Sequence, residues 1–280
     1  MTARMNRSDT FRLGGEQEIH RLGFGAMRVT GEGIWGSPAD RSEAIRVIRR
    51  AVELGVDFID TADSYGPNVS EELIAEALHP YPDGLIIATK GGLLRPGPGK
   101  WEPDGRPEHL REALEGSLGR LRVERIDLYQ FHRPDPKVPF EESVGAIAEW
   151  QREGLIRFVG LSNVSVEQLE TALQITDIVS VQNRYSLEQR GSQAVLERCQ
   201  ELGVGFIPWG PLDAGKLQGA VEEIASRHDA TPAQVAIAWL LQSSPVQLPI
   251  PGTSKVSHLE ENIAASGLEL SEEDIQELSD

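Results

Sequence analysis

The strongest constraint on the fold is an alternation of short apolar runs and longer amphipathic stretches that repeats eight times along the chain. Runs this short and this continuously apolar are typical of parallel strands that are covered on both faces. The stretches between them, such as SEAIRVIRRAVELG, place apolar residues at helical spacing. The apolar runs begin near Leu22, Val56, Leu85, Ile126, Ile156, Ile178, Val204 and Val246.

This order of elements predicts an α/β protein, a closed (β/α)8 TIM barrel. An open doubly wound sheet contains similar units and is the alternative. Before the first run, the segment TFRLGGEQEIHRLGFG predicts an N-terminal β-hairpin that turns at Gly14 and Gly15. No linker or change of composition divides the chain, so we expect residues 1–280 to form a single barrel domain.

One segment departs from the repeat. Residues 91–107 contain four prolines and five glycines, a composition that predicts a loop without regular structure. The loop is longer than an ordinary connection, and long loops are usually functional. We therefore expect residues 91–107 to contribute to an active site.

Composition excludes several classes of partner. The net charge of −17 repels phosphates, which argues against general binding to nucleic acid or to an anionic membrane. The one cysteine, Cys199, rules out an intramolecular disulfide and any metal site built from several cysteines. We expect a soluble cytoplasmic protein, since the N-terminal residues lack the apolar segment of a secretory signal and no stretch is apolar enough to span a bilayer.

Polar side chains follow three consecutive predicted strands at the end where a barrel of this type builds its active site. Asp60 and Tyr65 follow the second strand, Lys90 ends the third and His132 follows the fourth. Taken singly, each has an ordinary structural role, such as capping a turn or lying in a loop. Together they predict a cluster, because neighbouring strands lie only about 4.8 Å apart.

The charges in this cluster favour acid–base chemistry. An isolated tyrosine has a pKa of about 10, and a nearby lysine stabilises the phenolate and lowers that pKa. Asp60 can supply the counter-charge that a partly buried Lys90 needs. His132 can then orient a carbonyl oxygen by donating a hydrogen bond. Such a site can polarise a carbonyl group and protonate its oxygen, while the electrons come from another molecule.

The later strand ends carry groups suited to a cofactor. Ser162, Asn163 and Gln182 can bind a planar carboxamide, and Trp209 can stack on a heteroaromatic ring. Residues 252–255 (GTSK) precede a helix, whose N-terminus favours a phosphate group. The segment GFGAM is only a fragment of the GxGxxG fingerprint and is not followed by a Rossmann pattern.

These motifs resemble the aldo-keto reductase family over nearly the whole chain. The matching segments are LGFGAM, FIDTADSYG, ATKGG, DLYQFHRPD, FVGLSN, VQNRYS, PWGPL and IPGTSKVSHLEENIAA. The stretches MRVTGEGIWGSPADR and DSYGPNVSEELI also resemble bacterial members that reduce pyridoxal. The resemblance implies a (β/α)8 barrel that binds NADP(H) without a Rossmann domain and reduces a small aldehyde or ketone.

The resemblance also implies roles for individual residues. Tyr65 is the expected general acid, with Lys90 and Asp60 adjusting its pKa and His132 orienting the substrate carbonyl. The expected substrate pocket is lined by Trp35, Tyr65, Trp101 and His132. The expected cofactor-binding residues are Gly25, Ala26, Met27, Asp60, Ser162, Asn163, Gln182, Trp209, Gly210, Pro211, Leu212, Gly252, Thr253, Ser254, Lys255, His258, Glu261 and Asn262. No metal is expected.

The sequence departs from the family at the position of His258, where many members have an arginine that binds the 2′-phosphate of the cofactor. A neutral histidine is a weaker anion ligand than a guanidinium. Lys255 can compensate, so NADPH is the expected cofactor and NADH the alternative. The chain also ends soon after its last helix, which predicts a more open substrate site.

Two other functions stay open at this point. Lys90 at a strand end is placed as the lysine of a Schiff-base aldolase would be, although its pairing with Asp60 disfavours a neutral amine. Some barrels of this family are regulatory subunits that bind the cofactor without significant turnover. The physiological substrate, the favoured direction and the oligomeric state are not determined by the sequence.

Overall fold

The structure is a computed structural model that describes residues 9–212 and 219–279. Its main sheet contains seven parallel strands in the spatial order β3, β4, β5, β8, β9, β10 and β11. These strands are β3 (Phe24–Gly25), β4 (Phe58–Asp60), β5 (Ile86–Gly91), β8 (Ile126–Phe131), β9 (Ile156–Ser162), β10 (Ile178–Arg184) and β11 (Gly205–Trp209). Neighbouring strands follow one another in sequence, as a barrel requires.

Helices lie between successive strands and after the last of them. Their apolar faces pack against the strands in one large core cluster. The described helices are α1 (Arg41–Glu53), α2 (Val69–Leu78), α3 (Pro107–Leu121), α4 (Phe140–Arg152), α5 (Val166–Leu173), α6 (Gln193–Leu202), α7 (Ala220–Arg227), α8 (Pro232–Ser243), α9 (Val256–Ala264) and α10 (Glu272–Ser279). This α/β architecture is the (β/α)8 barrel that the alternation of the sequence predicts.

The eighth segment closes the barrel with isolated hydrogen bonds instead of a regular ladder. On one side, the Phe206 N–H donates to the Val246 carbonyl oxygen at 2.8 Å and the Leu248 N–H donates to Phe206 at 2.8 Å. On the other side, the Gly23 N–H donates to the Pro249 carbonyl oxygen at 2.9 Å. Because Pro249 has no N–H group, the predicted eighth strand forms only one bridge, between Gln247 and Phe206.

The predicted N-terminal hairpin is confirmed and covers one end of the barrel. Strands β1 (Thr10–Leu13) and β2 (Gln17–His20) pair antiparallel around a turn in which Gly14 and Gly15 have positive φ. Leu13 and Ile19 are fully buried against the apolar residues inside the barrel, among them Phe58. The end of the barrel at which the strands begin is therefore filled with apolar side chains.

Residues 91–107 are more ordered than the sequence predicts. Strand β6 (Leu93–Leu94) pairs antiparallel with β7 (Glu102–Pro103) and forms a short hairpin at the opposite end of the barrel. The expectation of no regular structure is therefore wrong for these four residues, and also for Gly91, which ends β5, and Pro107, which begins α3. A two-residue edge strand tolerates Pro103, because an edge residue need not donate to a second neighbour.

None of the helices in the described ranges combines the length and the apolar character that crossing a bilayer requires.

Candidate active site

A buried ion pair lies where strands β4 and β5 end. The Lys90 Nζ donates to Asp60 Oδ2 at 2.7 Å and to the Thr61 carbonyl oxygen at 2.8 Å. Lys90 is 0% exposed and Asp60 is 2% exposed. The third donor interaction of the ammonium is with the Tyr65 hydroxyl oxygen at 3.3 Å. The structure thus brings together the predicted Asp60, Lys90 and Tyr65, since β4 and β5 are neighbours in the sheet.

Two glutamine side chains complete the surroundings of Asp60. Gln182 Nε2 donates to Asp60 Oδ1 at 2.7 Å, and Gln130 Nε2 donates to the same oxygen at 3.1 Å. With the Lys90 ammonium on Oδ2, the carboxylate receives donors on both oxygens. A buried charge is tolerated when its hydrogen-bonding capacity is satisfied in this way. Asp60 is therefore held rigidly at the centre of the cluster.

His132 faces Tyr65 from the end of β8. The two ring centroids are 6.0 Å apart at an interplanar angle of 81°. The backbone N–H of His132 donates to the Gly91 carbonyl oxygen at 2.9 Å. The side-chain Nδ1 of His132 lies 3.4 Å from Ser64 Oγ. All four side chains that the sequence predicts to cluster are thus adjacent.

Burial shapes the pKa values of the cluster. Burial alone lowers the pKa of Lys90, but Asp60 and Tyr65 outweigh it, so that pKa lies above its ordinary value. Burial raises the pKa of Tyr65, and the Lys90 charge offsets only part of the rise. Lys90 thus lowers the pKa of Tyr65, as the sequence predicts, but the larger effect of burial raises it. Burial, with Lys90 and Arg133, holds the pKa of His132 well below its ordinary value, so the imidazole is neutral at pH 7.

Asp63 is a further buried acid near Tyr65. Burial and the neighbouring Glu71 raise the pKa of Asp63 to about 8. Within the described residues its Oδ1 has no hydrogen-bond partner. The charge of Glu71, in contrast, is balanced by a cation, because Arg120 Nε donates to Glu71 Oε2 at 2.6 Å. Asp63 therefore retains its proton at neutral pH.

A cavity with a volume of about 1010 Å³ opens above the cluster. Tyr65, Asp60 and His132 line it, whereas Lys90 lies beneath its surface. The other predicted residues that line it are Gly25, Met27, Trp101, Ser162, Asn163, Gln182, Trp209, Gly210, Pro211, Leu212 and Gly252. Leu93 also lines it, as expected for residues 91–107, and lining residues that the sequence did not indicate include Arg28, Ile34, Arg133, Arg184 and Ile250.

Asn163 and Trp209 are already bonded to their neighbours. Asn163 Nδ2 donates to the His132 carbonyl oxygen at 3.0 Å and to Ser162 Oγ at 2.9 Å. Asn163 Oδ1 accepts from Trp209 Nε1 at 3.1 Å. These bonds fix the half-buried Trp209 ring at the cavity wall.

The start of α9 is far more exposed than the cluster around Tyr65. Ser254, Lys255 and His258 are exposed, and the Val256 N–H donates to Glu43 Oε1 on α1 at 3.2 Å. Seven predicted cofactor residues are not among the described residues that line the cavity: Ala26, Thr253, Ser254, Lys255, His258, Glu261 and Asn262. Apart from Ala26, they lie at the start of α9 or near it. Glu261 accepts from Thr231 Oγ1 at 2.7 Å, and Ala26 is part of the core.

The two tryptophans predicted for the substrate pocket differ in placement. Trp101 lines the cavity, and its ring centroid lies 6.3 Å from that of Tyr65 at an angle of 83°. Trp35 is not among the described lining residues and lies instead beside Arg95, whose Cζ is 5.5 Å from its ring centroid. A tryptophan in a loop gives no sequence signal for the direction of its side chain.

Gln130 is the residue of the cluster that the sequence argument missed. It lies between Tyr129 and Phe131 in a strand that is otherwise apolar. A fully buried polar residue in such a strand needs a partner, and that need is the signal that could have identified it.

Comparison with known proteins places the chain in a family. The chain matches the family model described as "Aldo/keto reductase family" over residues 21–280. It is 53% identical over 262 residues to an uncharacterized oxidoreductase of Schizosaccharomyces pombe, covering 92% of this chain and 85% of that protein. It is 43% identical over 274 residues to the pyridoxine 4-dehydrogenase of Escherichia coli, covering 95% and 96% of the two chains.

Solved structures agree with this placement. An aldo/keto reductase from Klebsiella pneumoniae in complex with NADP and acetate superposes with a TM-score of 0.81 at 26% identity, covering 96% of this chain and 94% of that one. The protein belongs to the aldo/keto reductase family. It is an oxidoreductase of that family.

Proposed function

We propose that the protein reduces an aldehyde or ketone to an alcohol with NADPH, using Tyr65 as the proton donor. The observation that carries this proposal is the contact of the buried Lys90 ammonium with the Tyr65 hydroxyl oxygen at 3.3 Å. The same ammonium lies 2.7 Å from the Asp60 carboxylate. In this arrangement the Lys90 charge offsets part of the cost of forming the Tyr65 phenolate, which supports Tyr65 as an acid at the wall of a large cavity.

The residues of the cavity fit a nicotinamide dinucleotide. Its volume of about 1010 Å³ is at the upper end of the range for small-molecule sites. Arg28, Arg133 and Arg184 line it in a chain whose net charge is −17, and arginine is the usual partner of phosphate. NADPH supplies the hydride when bound. The residues proposed to hold it are Ser162, Gln182, Trp209 and Gly252, with NADH as the alternative cofactor.

The side chains of the cluster have complementary tasks. Tyr65 donates its hydroxyl proton to the substrate oxygen as that oxygen gains negative charge. Lys90 stabilises the resulting phenolate, and Asp60 keeps the ammonium in place. The neutral imidazole of His132 orients the carbonyl by donating one N–H to its oxygen. Because Tyr65 is buried, these interactions act in an environment with little water.

The Schiff-base alternative is not favoured by the surroundings of Lys90. A nucleophilic lysine must lose its proton, whereas the pKa of Lys90 lies above its ordinary value because of Asp60 and Tyr65. The ammonium also lies beneath the cavity surface, fully buried. The full cluster likewise favours turnover over a regulatory role.

We propose small aldehydes as the substrate class, with pyridoxal as the first candidate. The relative from Escherichia coli is named pyridoxine 4-dehydrogenase and is 43% identical to this chain. Trp101 and Tyr65 provide aromatic edges against which a flat ring can pack.

The proposal is tested by following NADPH and NADH oxidation with a panel of aldehydes that includes pyridoxal. Tyr65→Phe is expected to lower kcat by about 10²- to 10⁴-fold, which is the usual contribution of a general acid. Binding of NADPH, measured by fluorescence titration, is expected to persist. Tyr81→Phe is the matched control. The Tyr81 hydroxyl also donates a hydrogen bond, but Tyr81 is not among the described residues that line the cavity.

Three outcomes would contradict the proposal. Retention of the wild-type rate by Tyr65→Phe on a good aldehyde excludes Tyr65 as the proton donor. Cofactor binding without oxidation of NADPH or NADH by any aldehyde in the panel indicates the regulatory function instead. Covalent trapping of Lys90 by borohydride with a carbonyl substrate would indicate the aldolase.

A further inference from the structure

Arg95 connects three loops at the open end of the barrel. Its Nη1 donates to the Ser64 carbonyl oxygen at 2.8 Å and to the Ile34 carbonyl oxygen at 2.9 Å. Its Nη2 donates to the Gly33 carbonyl oxygen at 3.3 Å, and its Nε donates to the Lys100 carbonyl oxygen at 3.0 Å. One guanidinium therefore binds the loop after β3, the loop after β4 and the loop between β6 and β7.

The guanidinium also stacks on an aromatic ring of the cavity. Arg95 Cζ lies 3.6 Å from the ring centroid of Trp101. The Trp101 ring in turn meets Tyr65 edge to face, with 6.3 Å between centroids. Arg95 is thus linked to Tyr65 in two ways. It binds the carbonyl group of the preceding residue, Ser64, and it stacks on the Trp101 ring that packs against Tyr65.

The bonding of Arg95 depends on its shape. Across residues 9–212 and 219–279, no carboxylate forms an ion pair with Arg95, and its described acceptors are backbone carbonyl oxygens. A planar fork of donors can reach several carbonyls while one face stacks on Trp101. A lysine has neither the fork nor the flat face. The geometry, more than the charge, makes Arg95 suited to this position.

We propose that Arg95 is a positioning residue that holds Tyr65 and Trp101 in the arrangement required for binding and protonating the carbonyl substrate. This inference rests on the proposed reductase function. Arg95 does not contact the reacting groups and acts through the Ser64 carbonyl and the Trp101 ring. The β6–β7 hairpin already has its own pairing between Leu93 and Pro103, so Arg95 sets the position of the loop and not its fold.

The kinetic test compares Arg95→Gln with Arg106→Gln. Arg106 lies in the same segment and pairs with Asp104 at 2.6 Å, but it does not contact the loop that carries Tyr65. Arg95→Gln is expected to lower kcat/KM for aldehydes by about 10- to 100-fold, because small displacements of reacting groups are costly. Displacement of Tyr65 is expected to lower kcat and displacement of Trp101 is expected to raise KM, with the Kd for NADPH unchanged. Arg106→Gln is expected to resemble the wild type.

The conservative variant Arg95→Lys separates geometry from charge. It retains the positive charge and the aliphatic stem but loses the donor fork. We expect its KM for aldehydes to remain near that of Arg95→Gln. Full recovery of the wild-type KM in Arg95→Lys would overturn the positioning role, because charge alone would then suffice.

A double-mutant cycle with Trp101→Ala tests the coupling through the ring. If Arg95 acts in part by holding Trp101, the effects of the two substitutions on kcat/KM are less than additive. Additive effects would contradict that route. A merely structural role for Arg95 predicts instead a lower Tm with an unchanged division between KM and kcat.

Limited trypsin digestion gives a readout that needs no turnover. Trypsin cleaves after Lys100, at the carbonyl group that Arg95 Nε binds at 3.0 Å. Release of this carbonyl is expected to speed cleavage there by about tenfold in Arg95→Gln, since cleavage follows the population of open loop. Equal cleavage of Arg95→Gln, Arg106→Gln and wild type overturns the proposal. If the wild type oxidises no NADPH but cleavage still differs, the reductase function fails while the anchoring by Arg95 stands.

Discussion

The cluster around Tyr65 and the start of α9 differ in how their charges are held. At the first, Asp60 and Lys90 are buried and bonded to each other, and Asp60 also accepts from two glutamines. At the second, Lys255 and His258 are exposed to solvent. Charges in a buried network interact strongly, whereas exposed charges are screened by water and salt. The predicted catalytic cluster is therefore built rigidly, whereas the exposed charges at the start of α9 can change at little cost.

The largest expected effect comes from breaking the buried pair. Lys90→Met leaves the Asp60 carboxylate buried without its cation, which is expected to lower the free energy of unfolding by about 3–5 kcal/mol. It also removes the group that stabilises the Tyr65 phenolate, so aldehyde reduction is expected to be lost. Chemical denaturation and NADPH oxidation measure the two effects. Lys137→Met, at an exposed lysine, is the control and should change neither.

The double variant Asp60→Asn with Lys90→Met sharpens this result. Because it leaves no unpaired charge, its unfolding free energy should lie above that of Lys90→Met alone while activity stays absent. A double variant no more stable than Lys90→Met would show that the lost packing of Lys90, and not the unpaired charge, causes the destabilisation.

A second, smaller effect concerns pH and Asp63. Its pKa in the folded protein is about 8 and its ordinary value is 3.8, so the folded state binds the proton more tightly than the unfolded state. Stability from this group is full below the unfolded pKa and falls as pH rises towards 8. Asp63→Asn resembles the protonated form, so its Tm at pH 8 is expected to exceed that of the wild type.

The measurement is Tm across pH 5 to 8 for the wild type and for Asp63→Asn. Asp9→Asn is a control, because Asp9 lies in the N-terminal segment, far from Asp63 in the sequence, and pairs with Arg21 at the hairpin. If Asp63→Asn is less stable than the wild type at pH 8, Asp63 is ionised there and the buried acid is compensated by its neighbours.

The smallest effect is expected at α9. Glu43 Oε1 accepts the Val256 N–H at the position where a helix N-terminus favours an anion. Glu43→Gln removes a negative charge there and is expected to raise NADPH affinity relative to NADH by about two- to fivefold. Fluorescence titration with both cofactors, at low and high salt, measures the ratio. The change should shrink at high salt.

Glu53→Gln is the matched control for this prediction. Glu53 lies at the other end of the same helix and pairs with Arg50 at 3.1 Å, so the control alters the net charge equally. An equal shift in both variants would trace the effect to net charge. No shift in Glu43→Gln would mean that the cofactor phosphate binds elsewhere.

The barrel and the four clustered side chains could be predicted because their signals are local. Each strand end carries its polar residue in the sequence, and parallel strands bring these ends together. The bond from Gln130 to Asp60 could not be predicted in this way, because Gln130 lies inside the apolar run of β8 and not after its end. The net rise in the pKa of Tyr65 was also missed, since burial depends on how the loops pack over the site.

Loops account for the remaining differences. The β6–β7 hairpin forms although its segment is rich in glycine and proline, because tertiary packing overrides local propensity. Trp35 lies beside Arg95, outside the set of described residues that line the cavity, and nothing in a single sequence specifies that direction. Arg95 shows the same limit, since its four carbonyl acceptors lie on three different loops.

The incomplete eighth strand has a consequence for motion. The barrel closes there through a few bonds of Gly23, Phe206 and Leu248, while β5 and β8 share a ladder of four residue pairs and β8 and β9 share one of five. Local opening has a different free energy in each part of a protein, and amide hydrogen exchange measures it. Ile250 and Gly252 follow this junction and line the cavity. Opening of this junction would therefore widen the cavity. We expect local opening of the backbone here and the entry of a large ligand to occur together.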